Sequence, residues 1–365
     1  MANDKDFLVN GPVVVGKDTK VTVGSITASD IDLSTGNYFA DTLAANTTYT
    51  ISNAGAVQAF QLEVTGGAAS IYTVSGASYD SKAFSVTAQG GSPLGIAFKP
   101  DGTKMYVTQG GTTRTVSEYA LSTAWVINTA SYTTNKTLGY SDLSGIFFKP
   151  DGTTMYVLTY ANDSVAQISL STAWDVSTAG VTGTLKSVSA QETFPVGIAF
   201  KPDGTKMYVC GTSSNSVHEY NLSTAWSVSS ASFNQSYSVS SEGQSVQGVA
   251  FSTDGTKMFV SANLPDSVFE YDLNTAWDIS TASYSSITFS FSSQDTIART
   301  IAFKPDGTKL YLIGDANNTV FQYSSGGTEA YTITWPSSIE WAGGIAPAAP
   351  ANGETDVFTF VTDDS

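Results

Sequence analysis

The sequence predicts an all-β chain, a five-bladed β-propeller inserted into a small β-sandwich or β-roll domain, and three observations carry that expectation. A phrase of the type G-I-A-F-K-P-D-G-T-K-M-Y-V recurs five times, with turn glycines at Gly102, Gly152, Gly204, Gly255 and Gly307, a spacing of 50 to 52 residues. A fixed period of that size marks a repeat architecture. Apolar residues alternate in short runs, and no stretch carries the 3.6-residue stripe of an amphipathic helix. The repeat region also begins and ends with incomplete units that complement one another.

Within one repeat, the first strand is expected at Gly95 to Phe98 and is reversed by the turn Pro100-Asp101-Gly102. Proline presets φ and glycine accepts φ > 0, so the turn has a mechanism. Lys104 to Thr108 returns as the second strand, Thr115 to Leu121 is the third, and L-S-T-A-W leads to a fourth at Ala130 to Lys136. Four antiparallel strands in about fifty residues describe a propeller blade. Residues 77–88 read as a fourth strand with no first three, and residues 300–323 as three strands with no fourth. Joining them gives a fifth blade and leaves no open edge. The propeller is therefore placed at 71–326, and the flanking 1–70 and 327–365 form one composite β domain, because a ring whose ends meet can sit inside a loop of a host.

The host segments D-L-S-T-G-N-Y-F at Asp32 to Phe39, Asn46 to Ser52, I-T-W-P-S-S-I-E-W-A-G-G at Ile333 to Gly344 and E-T-D-V-F-T-F-V-T-D-D at Glu354 to Asp364 resemble a domain of structural and tail-appendage proteins of tailed, notably marine, bacteriophages. That resemblance covers about a hundred residues. In that group a further aromatic strand follows T-D-D, so a neighbouring subunit is expected to complete the domain. The resemblance implies a non-enzymatic virion decoration or tail-fibre protein on the exterior of the particle. It implies partners among other virion proteins, a homo-oligomer, and attachment to host-surface polysaccharide. A glycan depolymerase and a purely structural spacer are the alternatives.

Composition narrows the partners. With 32 acidic against 16 basic residues, a net charge of −16 disfavours nucleic acid, whose phosphates need clustered Lys and Arg. No run of about 18 apolar residues predicts membrane insertion, and the polar start Met1 to Asp6 carries no secretion signal. The one cysteine, Cys210, stands where other repeats have Thr108, Leu158, Ser261 and Ile313, and reads as a core filler.

The repeats also sort candidate residues, since scaffold residues recur and catalytic ones are singular. Asp101, Asp151, Asp203, Asp254 and Asp306 recur in the turn and are assigned to turn hydrogen bonding. Trp125, Trp174, Trp226 and Trp277 recur after the third strand and read as pegs between blades. The lone His218 gives no support to a Ser-His-Asp relay or a zinc site. No metal or cofactor is expected. The loops that differ between repeats are where a ligand face is expected: Asp142, Glu192, Glu242, Asp295 and Arg299 in one set, Asp163 and Asp266 in the other. In the depolymerase alternative, paired carboxylates among Asp142, Glu192, Glu242 and Asp295 would flank the scissile bond.

Overall fold

The computed structural model describes residues 7–9, 24, 26–27, 29–43, 47–54, 59–65, 68–70, 72–111, 113–325, 328–330, 333–341, 346–349 and 355–362. The chain divides into two compact units, Met1–Ser70 with Thr328–Ser365, and Ile71–Gly327. All of the described sheets are built from short strands, and the architecture is all-β and propeller-like.

In the larger unit the repeats form five four-stranded antiparallel sheets among the described residues. Sheet I is Pro93–Phe98, Lys104–Gln109, Thr115–Leu121 and Ala130–Thr137. Sheet II is Leu143–Phe148, Thr154–Thr159, Ser164–Ser169 and Thr184–Ser187. Sheet III is Pro195–Phe200, Lys206–Gly211, Ser216–Leu222 and Ala231–Ser238. Sheet IV is Gln244–Phe251, Lys257–Leu264, Asp266–Leu273 and Ala282–Ser290. Sheet V takes Ala298–Phe303, Lys309–Gly314 and Thr319–Ser324 from the end of the region and its fourth strand, Ser78–Ser85, from the beginning. The registered pairs Thr319 with Ser85 and Ser324 with Ser78 join the two.

Each sheet is fastened to the next by the same side-chain-to-backbone bond. A glutamate or glutamine in the third strand accepts the N–H that opens the 3-10 turn of the following sheet: Glu118 from Val176 at 3.1 Å, Gln167 from Val228 at 3.0 Å and Glu219 from Ile279 at 3.4 Å. Glu270 accepts from Val74 at 2.9 Å in the entry segment of sheet V, and Gln322 of sheet V accepts from Ile127 of sheet I at 3.2 Å. Nearer the middle the first strands approach until side chains no longer fit. A Cβ on Gly95 would lie 2.5 Å from the Ser144 carbonyl oxygen, and one on Gly248 would lie 3.0 Å from the Cα of Thr300. Thr300, in the equivalent place in sheet V, instead accepts from the Ile96 N–H of sheet I at 3.0 Å.

The tryptophans hold one end of each sheet. Trp125, Trp174, Trp226 and Trp277 all have φ between 63° and 67°, a left-handed backbone that bulky residues avoid. Both peptide groups around each tryptophan are occupied. The N–H donates to the carbonyl of the turn glycine, as in Trp174 to Gly152 at 3.0 Å. The carbonyl accepts a tyrosine hydroxyl from the preceding sheet: Tyr106 to Trp174, Tyr156 to Trp226, Tyr208 to Trp277 and Tyr311 to Trp125, at 2.6 to 2.8 Å. The indole lies over its turn glycine, where any Cβ would overlap the ring. Sheet V has no such tryptophan, and Tyr72, in the entry segment, fills that place over Gly307.

In the smaller unit one mixed sheet runs in the order Ile339–Trp341, Phe7–Val9, Thr355–Thr362, Ala59–Thr65, Tyr38–Thr42. Strands from both flanks of the repeat region thus share one ladder, with Phe60 opposite Phe360. Those two rings stack at 4.7 Å in a core with Phe39, Leu62, Val64 and Tyr49.

Candidate functional site

The two ends of the sheet ring differ. At the turn end, each aspartate of the P-D-G turn or its sheet IV variant accepts from the backbone and hydroxyl of the threonine two residues on, as in Thr153 to Asp151 at 3.0 and 2.7 Å. The Lys149 ammonium, then the Thr153 donors, hold the Asp151 carboxyl down at about 2. These aspartates belong to the scaffold.

At the loop end the seven candidate residues separate. Glu192 and Asp295 are 0% and 2% exposed, so they are not part of a ligand face. Each folds back over the glycine that ends the second strand of its own sheet and binds backbone donors. Glu192 accepts from the N–H groups of Phe194, Ser213 and Ser214 at 2.8 to 3.1 Å. Asp295 accepts from Ile297, Ala316 and Asn317 at 2.8 to 3.3 Å. A carboxylate in this position ties the two loops of one sheet together, and the room for it exists because Gly211 and Gly314 lack side chains. Glu242 accepts the Tyr271 hydroxyl at 3.1 Å, the place that Gln89 and Gln191 hold against Tyr119 and Tyr220. Asp163 supplies a left-handed residue, φ 45°, before the third strand, as Asn215 and Asn318 do. Asp266 has a buried Oδ1 without a hydrogen-bond partner, and burial followed by the neighbouring Asp295 charge raises its pKa.

Asp142 and Arg299 remain, each held in a polar network at the loop end. Arg299 stands where the other first strands carry Leu94, Ser144, Val196 and Gln247. Its Nη2 pairs with Asp315 at 2.6 Å, its Nη1 donates to Gln247 of sheet IV at 3.2 Å, and its Nε has no partner. The guanidinium is 21% exposed and the Asp315 carboxylate 16%. In sheet II, Tyr160 donates to Asp142 at 3.1 Å and stacks on Phe194 of sheet III at 4.4 Å. Burial and then Asp142 raise the Tyr160 pKa, while the Arg299 charge acts in the opposite direction. The polar groups left at the loop end are thus the Asp142–Tyr160 pair of sheet II and the Gln247–Arg299–Asp315 network of sheets IV and V. Tyr160 and Gln247 were not singled out from the sequence, although Arg299 is the one charged residue at its repeat position.

His218 is buried with both ring nitrogens occupied, Nε2 to Ser214 at 2.8 Å and Nδ1 to Ser236 at 2.7 Å. Burial lowers its pKa. Cys210 is buried, and burial pushes its thiol pKa far up. Among the described residues no group of three or more His, Cys, Asp or Glu is placed to hold a metal ion, and no helix is long and apolar enough to cross a membrane.

A family model described as "Lactonase, 7-bladed beta-propeller" matches residues 68–228. No curated protein matches the chain. Among solved structures, a putative 6-phosphogluconolactonase from Bacteroides uniformis is 14% identical over 64% of this chain and 68% of its own, with a TM-score of 0.42. A second from Bacteroides fragilis is 12% identical, covering 65% and 82%, with a TM-score of 0.43. The periplasmic gluconolactonase PpgL of Pseudomonas aeruginosa is 12% identical, covering 73% of each chain, with a TM-score of 0.41. The family match overturns the resemblance to phage appendage proteins and the non-enzymatic virion role drawn from it: it falls on residues 68–228, within the first part of the repeat region, and its model is that of lactonases. The host segments that carried the phage resemblance are short β strands of threonine, aromatic and turn residues, a composition that small β domains share.

Proposed function

We propose that this chain is a lactonase-type hydrolase that opens a small cyclic ester at the Arg299 mouth of a five-bladed ring. The observation that carries this reading is Arg299: a part-exposed side chain, fixed from two sides by Asp315 and Gln247 at a repeat position otherwise without charge, with the Asp142–Tyr160 pair at the same end of the ring. The lactonase family model on residues 68–228 supports the reaction class.

In this reaction Arg299 holds the lactone carbonyl oxygen, whose negative charge grows as the tetrahedral intermediate forms. A donor already in place stabilises that charge without reorganisation. Asp142, oriented by the Tyr160 hydroxyl, takes a proton from the attacking water. The water oxygen bonds to the carbonyl carbon, the ring C–O bond breaks, and the alkoxide leaving group takes the proton back from Asp142 to give the hydroxy acid. Asp315 and Gln247 keep the guanidinium aimed at the opening.

We take the count as five, against the seven of the family description, because the fastening bonds run from sheet I through sheet V and return from Gln322 to Ile127.

The test is hydrolysis of glucono-δ-lactone and 6-phosphogluconolactone by the purified chain, followed by proton release. Turnover above the spontaneous rate is expected, with Arg299→Gln and Asp142→Asn each lowering kcat/KM by roughly 100-fold or more while the protein stays folded. A rate equal to the spontaneous one with a panel of γ- and δ-lactones, or unchanged turnover in folded Arg299→Gln, would overturn the proposal.

A further inference from the structure

At the opposite, turn end of the ring the first strands enclose a cavity of about 320 Å³. Its floor is a ring of equivalent aliphatic residues, Ile96, Ile146, Ile198, Val249 and Ile301, each 4 to 7% exposed. Aromatic walls rise around it from the next repeat positions, including Phe98, Phe200 and Phe303, each held in place by a neighbouring ring; Phe98, for example, lies 4.4 Å from Tyr311 and 5.4 Å from Trp125. Such walls are preformed, so a ligand entering them pays little for ordering them. The volume is about twice the ~150 Å³ that accommodates one benzene ring in an apolar protein cavity.

The rim is charged but balanced. Lys99, Lys149, Lys201 and Lys304 pair with Asp101, Asp151, Asp203 and Asp306 at 2.5 to 2.7 Å. Sheet IV departs from this pattern: Ser252 replaces the lysine, and Asp254 accepts from Ser252 and Thr256 instead. The rim therefore keeps one carboxylate with no lysine beside it, on the side where Thr253 lines the cavity. An anion would be repelled there, whereas a neutral or cationic apolar body would not.

We infer that this cavity is a second ligand site, separate from the Arg299 mouth, for a small neutral or cationic molecule with an aromatic or branched aliphatic body. The repeat supplies its own test. The wall position occupied by Ala97, Ala199, Ala250 and Ala302 is phenylalanine in sheet II, Phe147, so the fold tolerates a ring there. Each Ala→Phe change adds a side chain to the cavity without touching the loop end.

The experiment titrates the full chain with the neutral probe N-phenyl-1-naphthylamine, reading its emission and the quenching of the lining tryptophans Trp125, Trp174 and Trp277. Saturable binding of one probe per chain is expected. Its affinity should fall at least tenfold in Ala250→Phe and in Ala302→Phe, and the anionic 1-anilinonaphthalene-8-sulfonate should bind at least tenfold more weakly than the neutral probe. Circular dichroism and Tm identify which of the two variants is folded, and the folded one is scored. Absence of saturable binding, equal affinity in a folded filled variant, or preference for the anionic probe overturns the assignment. So does a chain dimer that dissociates as the probe binds, because the cavity would then seat a second copy.

Discussion

The two ends of the ring are built from the same five repeats and behave as opposites. At the turn end every sheet repeats one set of contacts: aspartate to threonine two residues on, glycine under an indole or tyrosine ring, and, in four sheets, lysine to aspartate. At the loop end each sheet solves its own problem, with Glu192 and Asp295 as internal caps, Glu242 standing in for glutamine, and Arg299 at a position otherwise without charge. Repetition marks what holds the ring together, and departure from it marks where a site can be placed.

The largest expected effect is at the turn end. Trp174→Ala removes an indole packed on Phe148, Tyr106 and Gly152, and a loss of roughly 3 to 5 kcal/mol is expected from denaturant unfolding. A loss under about 1 kcal/mol would mean that the indole is not the peg described. At the loop end the contrast is between two glutamates. Glu192→Ala leaves three part-buried N–H groups without their acceptor, which should cost roughly 1 to 3 kcal/mol. Glu242→Gln restores the residue type found at Gln89 and Gln191 and should stay within about 0.5 kcal/mol. Equal losses in the two variants would erase the distinction between cap and substitute.

The smallest effect is a pH dependence of the turn end. Asp151 is lowered to about 2, chiefly by the Lys149 bond; in Asp101 and Asp203 partial burial opposes the lysine and threonine donors, which still bring them to about 2. A folded-state value below the unfolded one adds stability that is present above pH 3.8 and is lost as pH falls toward 2. Because these groups are largely exposed, solvent screening keeps each contribution small. Stability of the Asp101→Asn, Asp151→Asn, Asp203→Asn triple variant should therefore change less between pH 5 and pH 2 than that of the parent. An identical pH profile would contradict this assignment.

The same contrast explains what could be read from the sequence. Turn contacts join residues two apart in a motif written five times, so the hairpins, the tryptophan pegs and the role of the aspartates were legible. The complementarity of residues 77–88 and 300–323 was legible too, because each is recognisable as part of a repeat. The loop end was not. Glu192 reaches Ser213 and Ser214 about twenty residues on, and Arg299 reaches Gln247 in another sheet, so a carboxylate in a variable loop looked exposed when it is an internal cap. Tyr160 was invisible for the same reason, since it meets Asp142 eighteen residues earlier and Phe194 of the next sheet. The phage resemblance failed differently: it drew function from the smaller unit, whereas the family match lies on the repeats.

The central claim is that a strand from the beginning of the repeat region closes the ring with the strands at its end. Ser85 and Thr319 are registered partners across that seam. Replacing both with cysteine and oxidising the folded monomer should give an intramolecular disulfide in nearly all molecules and raise Tm, since it closes a long loop worth up to roughly 5 kcal/mol of chain entropy. A pair that stays reduced, or that cross-links only between chains, would contradict the closure.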